Sequence, residues 1–141
     1  MAVIGQHGVV GVVVDVSEHF STAISMLHKD MKLSGKLKKN GQVGNATWEG
    51  FNYRYCSFND IPSHVNINKD DSVVTSGYSA IFPEGIMIGT IQDYSFNLGE
   101  GFYSINLKYS TDFNNLNFVY VVVNNLGEEQ QMIEKRLQQN D

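Results

Sequence analysis

Few residues in this chain have the types and spacing that chemistry requires. The run Thr75-Ser76-Gly77-Tyr78-Ser79 is the one Ser/Gly loop that could present a nucleophile. An activated serine needs a histidine base and an orienting acid. The run lacks the Gly-x-Ser-x-Gly spacing of a nucleophile elbow, and no acid-Ser-Gly-Gly arrangement stands by to build an oxyanion hole. The four histidines, His7, His19, His28 and His64, show no i, i+4 pairing and no Cys or acidic partner at ligand spacing. The lone cysteine, Cys56, excludes an internal disulfide framework and any multi-cysteine zinc site. It falls in an alternating segment, where a thiol reads as a small buried hydrophobe. There is no Gly-x-x-x-x-Gly-Lys loop, and Gly8 and Gly11 do not open a helix, so neither phosphate cradling nor dinucleotide binding has support. Phe51, Tyr53, Tyr55 and Phe58 could stack bases as in an oligonucleotide-binding barrel, or form core and cross-strand pairs. No cofactor or metal is expected.

The elements that must position these residues read as strands. Val9-Val10-Gly11-Val12-Val13-Val14 is too β-branched for a good helix and reads as a buried strand. Residues 20–31 are ambiguous: Phe20, Ile24, Leu27 and Met31 make a helical stripe, while Thr22, Ile24 and Met26 alternate as a strand does. Leu33, Gly35 and Leu37 alternate with Lys32, Ser34, Lys36 and Lys38. Five lysines cluster here (Lys29, Lys32, Lys36, Lys38 and Lys39), half of the ten basic residues. They read as the wet face of a strand, a device that also discourages edge-to-edge pairing, rather than as a contact for an anionic surface.

Asn40-Gly41 is a hairpin signal of the type I′ kind, which requires positive φ at both central positions. Short strands follow at Ala46–Trp48, at Tyr53–Phe58 (Tyr53, Tyr55 and Ser57 opposing Arg54, Cys56 and Phe58) and at Val65–Ile67. A turn is expected at Asn68–Asp71, then strands at Ser72–Ser76, Ile86–Ile91, Phe102–Tyr109 and Phe118–Val123. Residues 125–141 form a polar C-terminal tail.

A chain of 141 residues with 42% hydrophobic and 18% charged residues can bury a core. The formal net charge of −5 argues against bulk nucleic-acid binding. No stretch approaches the ~18 apolar residues of a membrane-spanning helix. Many short strands with Gly and Asn turns indicate an all-β barrel or sandwich.

The segment Val73-Val74-Thr75-Ser76-Gly77-Tyr78-Ser79-Ala80-Ile81-Phe82-Pro83-Glu84-Gly85-Ile86-Met87-Ile88-Gly89-Thr90-Ile91 resembles the signature of MreC, the bacterial rod shape-determining family. That signature runs Val-Val-Thr-Ser-Gly, a short Gly-rich loop, Phe-Pro-x-Gly, then a strand containing Gly. Gly8–Val13 resembles the family's Gly-bounded hydrophobic strand. Phe102–Leu107, Thr111-Asp112-Phe113, Leu116 and Val119–Val123 resemble its C-terminal strand pair. Two positions depart from the pattern: Asp70 replaces a usual Gly, and Ala80 replaces a loop Gly. Val73, Val74, Thr75, Ser76, Gly77, Phe82, Pro83, Gly85 and Gly89 are expected to specify the fold, with Phe82 plugging a barrel end.

The resemblance implies two small six-stranded-type β-barrels, arranged as in chymotrypsin but without its catalytic residues. It favours a strand over the helix at residues 20–31. It implies a first barrel, incomplete, from residues 1–29 plus 101–124, with a second barrel inserted at 30–100. The family's membrane helix, coiled coil and first strands would lie upstream of Met1, and the membrane would be met only through that helix. The implied function is a non-enzymatic scaffold of cell-wall elongation on the periplasmic or extracytoplasmic face of the bacterial inner membrane, this chain itself being soluble. Implied partners are a penicillin-binding transpeptidase, MreD, the MreB-linked shape complex and other copies of the chain, with no nucleic acid. Tyr53, Tyr55, Phe58 and Tyr78 are candidates for the partner surface. The alternatives are a degenerate double-barrel serine hydrolase using Ser76 or Ser79 with a histidine, and a small oligonucleotide-binding barrel.

Overall fold

The computed structural model describes residues 1–78, 81–96, 99–116 and 118–122. Among them there are ten strands and no helix. The first three are β1 (Ala2–Gly5), β2 (Gly8–Val16) and β3 (Ser21–Ser25). Then come β4 (Lys32–Leu37), β5 (Val43–Thr47), β6 (Tyr55–Asn59) and β7 (Ser72–Thr75). The last are β8 (Met87–Phe96), β9 (Tyr103–Tyr109) and β10 (Tyr120–Val122). Six of them close a barrel in the order β4-β5-β6-β9-β8-β7, and the other four form an open sheet, β10-β1-β2-β3. All pairings are antiparallel.

Period-two alternation sets the barrel interior. On β4, Leu33, Gly35 and Leu37 face inward and Lys32, Ser34 and Lys36 outward. On β6, Cys56 and Phe58 point in; on β9, Ile105, Leu107 and Tyr109 do. Val73, Ile88 and Ile91 complete this core, with Ile61, Val65, Ile67 and Phe82 packed from the connecting segments. Ala2, Val9, Val12 and Met26 carry the same apolar cluster into the open sheet.

Several expectations are corrected. Residues 103–109 do not return to the first sheet: β9 sits inside the closed barrel between β6 and β8. Its long ladder with β8, from Gly89↔Tyr109 to Phe96↔Tyr103, holds it there. The last strand, β10, pairs with β1. The β4–β5 hairpin forms, but its turn is not type I′, since Gly41 has positive φ (76°) and Asn40 does not. The loop instead closes through Gly41 N–H on Leu37 C=O at 2.8 Å and Leu37 N–H on Gln42 C=O at 2.9 Å. Val65 and Ile67 are buried but not in a strand. Residues 20–31 hold the short strand β3, and the helical stripe is not realised. The expected tail, 125–141, lies outside the described residues.

The lysine-rich stretch is a solvated face. Lys36 pairs with Glu84, and Lys39 Nζ lies 2.7 Å from Asp71 Oδ2.

The two sheets meet at Gly8. A Cβ there would stand 2.3 Å from Met87 O and 2.5 Å from Ser110 Oγ. Beside it the buried Thr111 Oγ1 donates to Val9 O at 2.8 Å, and Tyr109 OH donates to Met26 O at 3.4 Å. Backbone carbonyls at this buried seam are thus satisfied by side chains at the end of β9 and just after it.

Candidate functional site

The run from Val73 to Gly89 is a structural device. Val73 and Val74 pair with β4 on one side and β8 on the other. The Thr75 hydroxyl donates to Pro83 O at 2.6 Å and accepts from Ile86 N–H at 2.8 Å. It therefore pins both ends of the β7–β8 connection with one group. Gly77 and Gly85 take φ of 81° and 92°, the left-handed region that a Cβ penalises. Phe82 is buried where the connection folds back on the barrel. At Gly89 a Cβ would stand 2.2 Å from Lys108 O, so this glycine lets β8 and β9 approach.

Ser76 is buried in this device. Its Oγ lies 2.7 Å from Ser34 Oγ, within 3.3 Å of Ser34 O, and accepts from Tyr78 N–H at 3.2 Å. No imidazole or carboxylate is among these partners, so nothing there activates it as a nucleophile. Ser79 and Ala80 lie outside the described residues. Cys56 is buried in the barrel, and burial pushes its thiol up to about 12, with a hydrogen bond to Tyr109 acting weakly the other way. A thiol so protonated is neither nucleophile nor metal ligand. Burial likewise raises Tyr109, with Cys56 adding to it. Among the described residues no three His, Cys, Asp or Glu side chains group as a metal site would require.

The candidate surface residues separate. Phe58 is fully buried and leaves the surface set: its parity on β6 is that of Cys56, not of Tyr55. Tyr78 is 79% exposed at the β7–β8 connection. Tyr53 and Tyr55 are half-buried. Arg54 lies over the Tyr53 ring, 5.4 Å from its centroid, and its Nε donates to Tyr53 OH at 3.2 Å. That hydrogen bond is the first reason its guanidinium holds its proton more tightly than usual.

Two further surfaces come from pairing. The far end of the β8–β9 hairpin carries Tyr94 and Phe96, each edge-to-face with Tyr103 at 5.8 and 5.9 Å. The outer face of β6, β9 and β8 holds a groove of about 380 Å³ lined by Glu49, Phe51, Tyr55, Ser57, Asp93 and Asn106, among others. Its floor is a row set by register, Ser57–Asn106–Asp93. Phe51 had been a base-stacking candidate; Glu49, Asp93 and Asn106 had no distinguishing sequence signal.

A family model described as rod shape-determining protein MreC, barrel core, matches residues 1–123. The chain belongs to the MreC family. Among solved structures, MreC from Pseudomonas aeruginosa superposes with a TM-score of 0.80 at 21% identity, over 86% of this chain and 77% of that one. MreC from Listeria monocytogenes gives 0.72 at 24% identity, over 84% of this chain and 58% of that one. A complex between penicillin-binding protein PBP2 and MreC from Helicobacter pylori gives 0.67 at 20% identity, over 84% and 73%. At these identities the likeness shows the fold alone, and it is the MreC β-barrel fold. No curated protein matches the chain in sequence.

Proposed function

We propose that this MreC-family chain is a non-enzymatic scaffold of the bacterial cell-wall elongation machinery, maintaining cell shape by holding synthesis proteins and cytoskeleton-linked partners together. The observation that carries this reading is the family match across both sheets, residues 1–123. The burial of Ser76 among serine and backbone partners supports a binding role over hydrolysis. A monofunctional penicillin-binding transpeptidase is the first partner, in line with the PBP2–MreC complex known from Helicobacter pylori. MreD, the MreB-linked complex and further copies of the chain complete the set, on the outer face of the cytoplasmic membrane. The net charge of −5 opposes the oligonucleotide-binding alternative.

The experiment is affinity capture from a solubilised bacterial envelope by the immobilised, folded chain, read by mass spectrometry. Enrichment of a cell-wall transpeptidase or a shape-complex membrane protein is expected. A folded chain that retains neither, yet turns over peptide or peptidoglycan substrates, would replace the scaffold with the hydrolase.

A further inference from the structure

We propose that the groove on the outer face of β6, β9 and β8 is a docking site for an arginine-bearing extended segment of a protein partner. The inference rests on the scaffold reading and names the chemistry of one contact within it.

Three observations carry it. The first is charge. Glu49 and Asp93 both line the groove, and no cationic side chain does. Neither carboxylate has an ion-pair partner among the described residues. Each is held by one neutral donor: Asn106 Nδ2 gives to Asp93 Oδ1 at 2.8 Å, and Thr47 Oγ1 gives to Glu49 Oε1 at 3.3 Å. That positions the carboxylates without neutralising them. Lys108, one outward step along β9, lines the neighbouring groove on the other side of Tyr55 instead.

The second is aromatic placement. Phe51 is 94% exposed on the groove's rim, and Tyr55 forms its wall. The loop presenting Phe51 is fixed. Trp48 Nε1 donates to Asn52 O at 2.9 Å, Arg54 N–H donates to Asn52 Oδ1 at 2.9 Å, and Gly50 turns the chain at φ 88°. A ring held in water beside carboxylates suits a planar guanidinium, which stacks on the ring and forks to an acid.

The third is the bulge in β8. The register slips between Ile91↔Leu107 and Asp93↔Asn106, inserting Gln92. Bulges re-aim side chains; here both Gln92 and Asp93 line the groove, although strict alternation would send one of them inward. With Asn52 and Asn106, Gln92 offers amides to the backbone of an extended peptide.

The test uses the full chain and the probe Ac-Gly-Arg-Gly-Arg-Gly-NH2. Its isosteric-length controls carry Gln or Glu in place of both Arg. Trp48, the chain's only tryptophan, reports from the loop. Amide shifts by NMR give a second readout that does not depend on fluorescence. The expected result is saturable binding of the arginine peptide, with shifts confined to the groove residues. Affinity should fall about tenfold in Glu49→Gln/Asp93→Asn, the scale of a lost charge-assisted contact, and fall in Phe51→Ala. It should be unchanged in Glu18→Gln, which removes a charge beyond the open sheet. Equal binding of the Gln or Glu peptide, equal loss in Glu18→Gln, or shifts outside the groove would overturn the proposal. So would binding of chitotriose in preference to the peptide, which would make the groove a sugar site. If no peptide binds while envelope capture still retains a transpeptidase, this contact is refuted and the scaffold reading is not.

Discussion

Asp70 sits at φ 71°, one of two non-glycine residues with positive φ among those described. The turn needs it there: Asp71 N–H reaches Asn68 O at 3.2 Å, and Asn68 N–H reaches Asp71 Oδ2 at 2.7 Å. Left-handed backbone costs an L-residue about 1 kcal/mol, less for Asp than for most. Asp70→Gly should therefore raise the melting temperature slightly and Asp70→Val lower it, both read by thermal denaturation. Cys56 gives a second residue-scale expectation. Its thiol shifts from an ordinary 9.0 to about 12 on folding. The folded state thus keeps a proton that the unfolded state releases, so stability is full below about pH 9 and falls as pH rises toward 12. Tyr109 acts in the same direction over a higher range. Urea titrations at pH 7 and pH 10 should show the loss, and Cys56→Ala should shrink it.

The β7–β8 connection behaves as one element because of Thr75. Thr75→Val keeps the shape and β-branching but strands Pro83 O and Ile86 N–H, so it should cost about 1–3 kcal/mol by chemical denaturation. Thr75→Ser should recover most of that. The same element shows what could be read beforehand. Alternation placed β4 and β6 in the right phase, because inward parity is a local property of a half-buried strand. The parity of Phe58 already opposed its use as surface. β8 was expected to stop at Ile91, yet it runs to Phe96 because β9 is there to pair with it. Pairing between distant segments also decided where β9 belongs. The groove was unreadable for the same reason: its floor comes from three strands and its rim from a loop, and no one of those segments has a telling composition.

At the scale of the whole molecule, the seam at Gly8 couples the two sheets. Nothing larger than a hydrogen fits opposite Met87 O, and the Thr111–Val9 hydrogen bond is buried beside it. The sheets should unfold in one transition: Trp48, which reports the barrel, and far-UV circular dichroism, which reports both sheets, should give superimposable curves. Gly8→Val should lower stability by about 3 kcal/mol through overpacking and strain. It should also separate the two curves. For a scaffold, such a seam means that partners bound on different sheets are held at a set angle.

The closed ring and the open row also differ in how a strand can leave. In the ring each of the six strands has two neighbours, β7 and β4 included. Peeling any one of them away breaks two ladders at once. In the row, β3 and β10 are each held on one side among the described residues. Local opening therefore has a cheaper route through the open sheet than through the ring, where the end of the β8–β9 hairpin, Asp93 to Phe96, is held on one side. The half that carries the proposed groove is the half with fewer free edges.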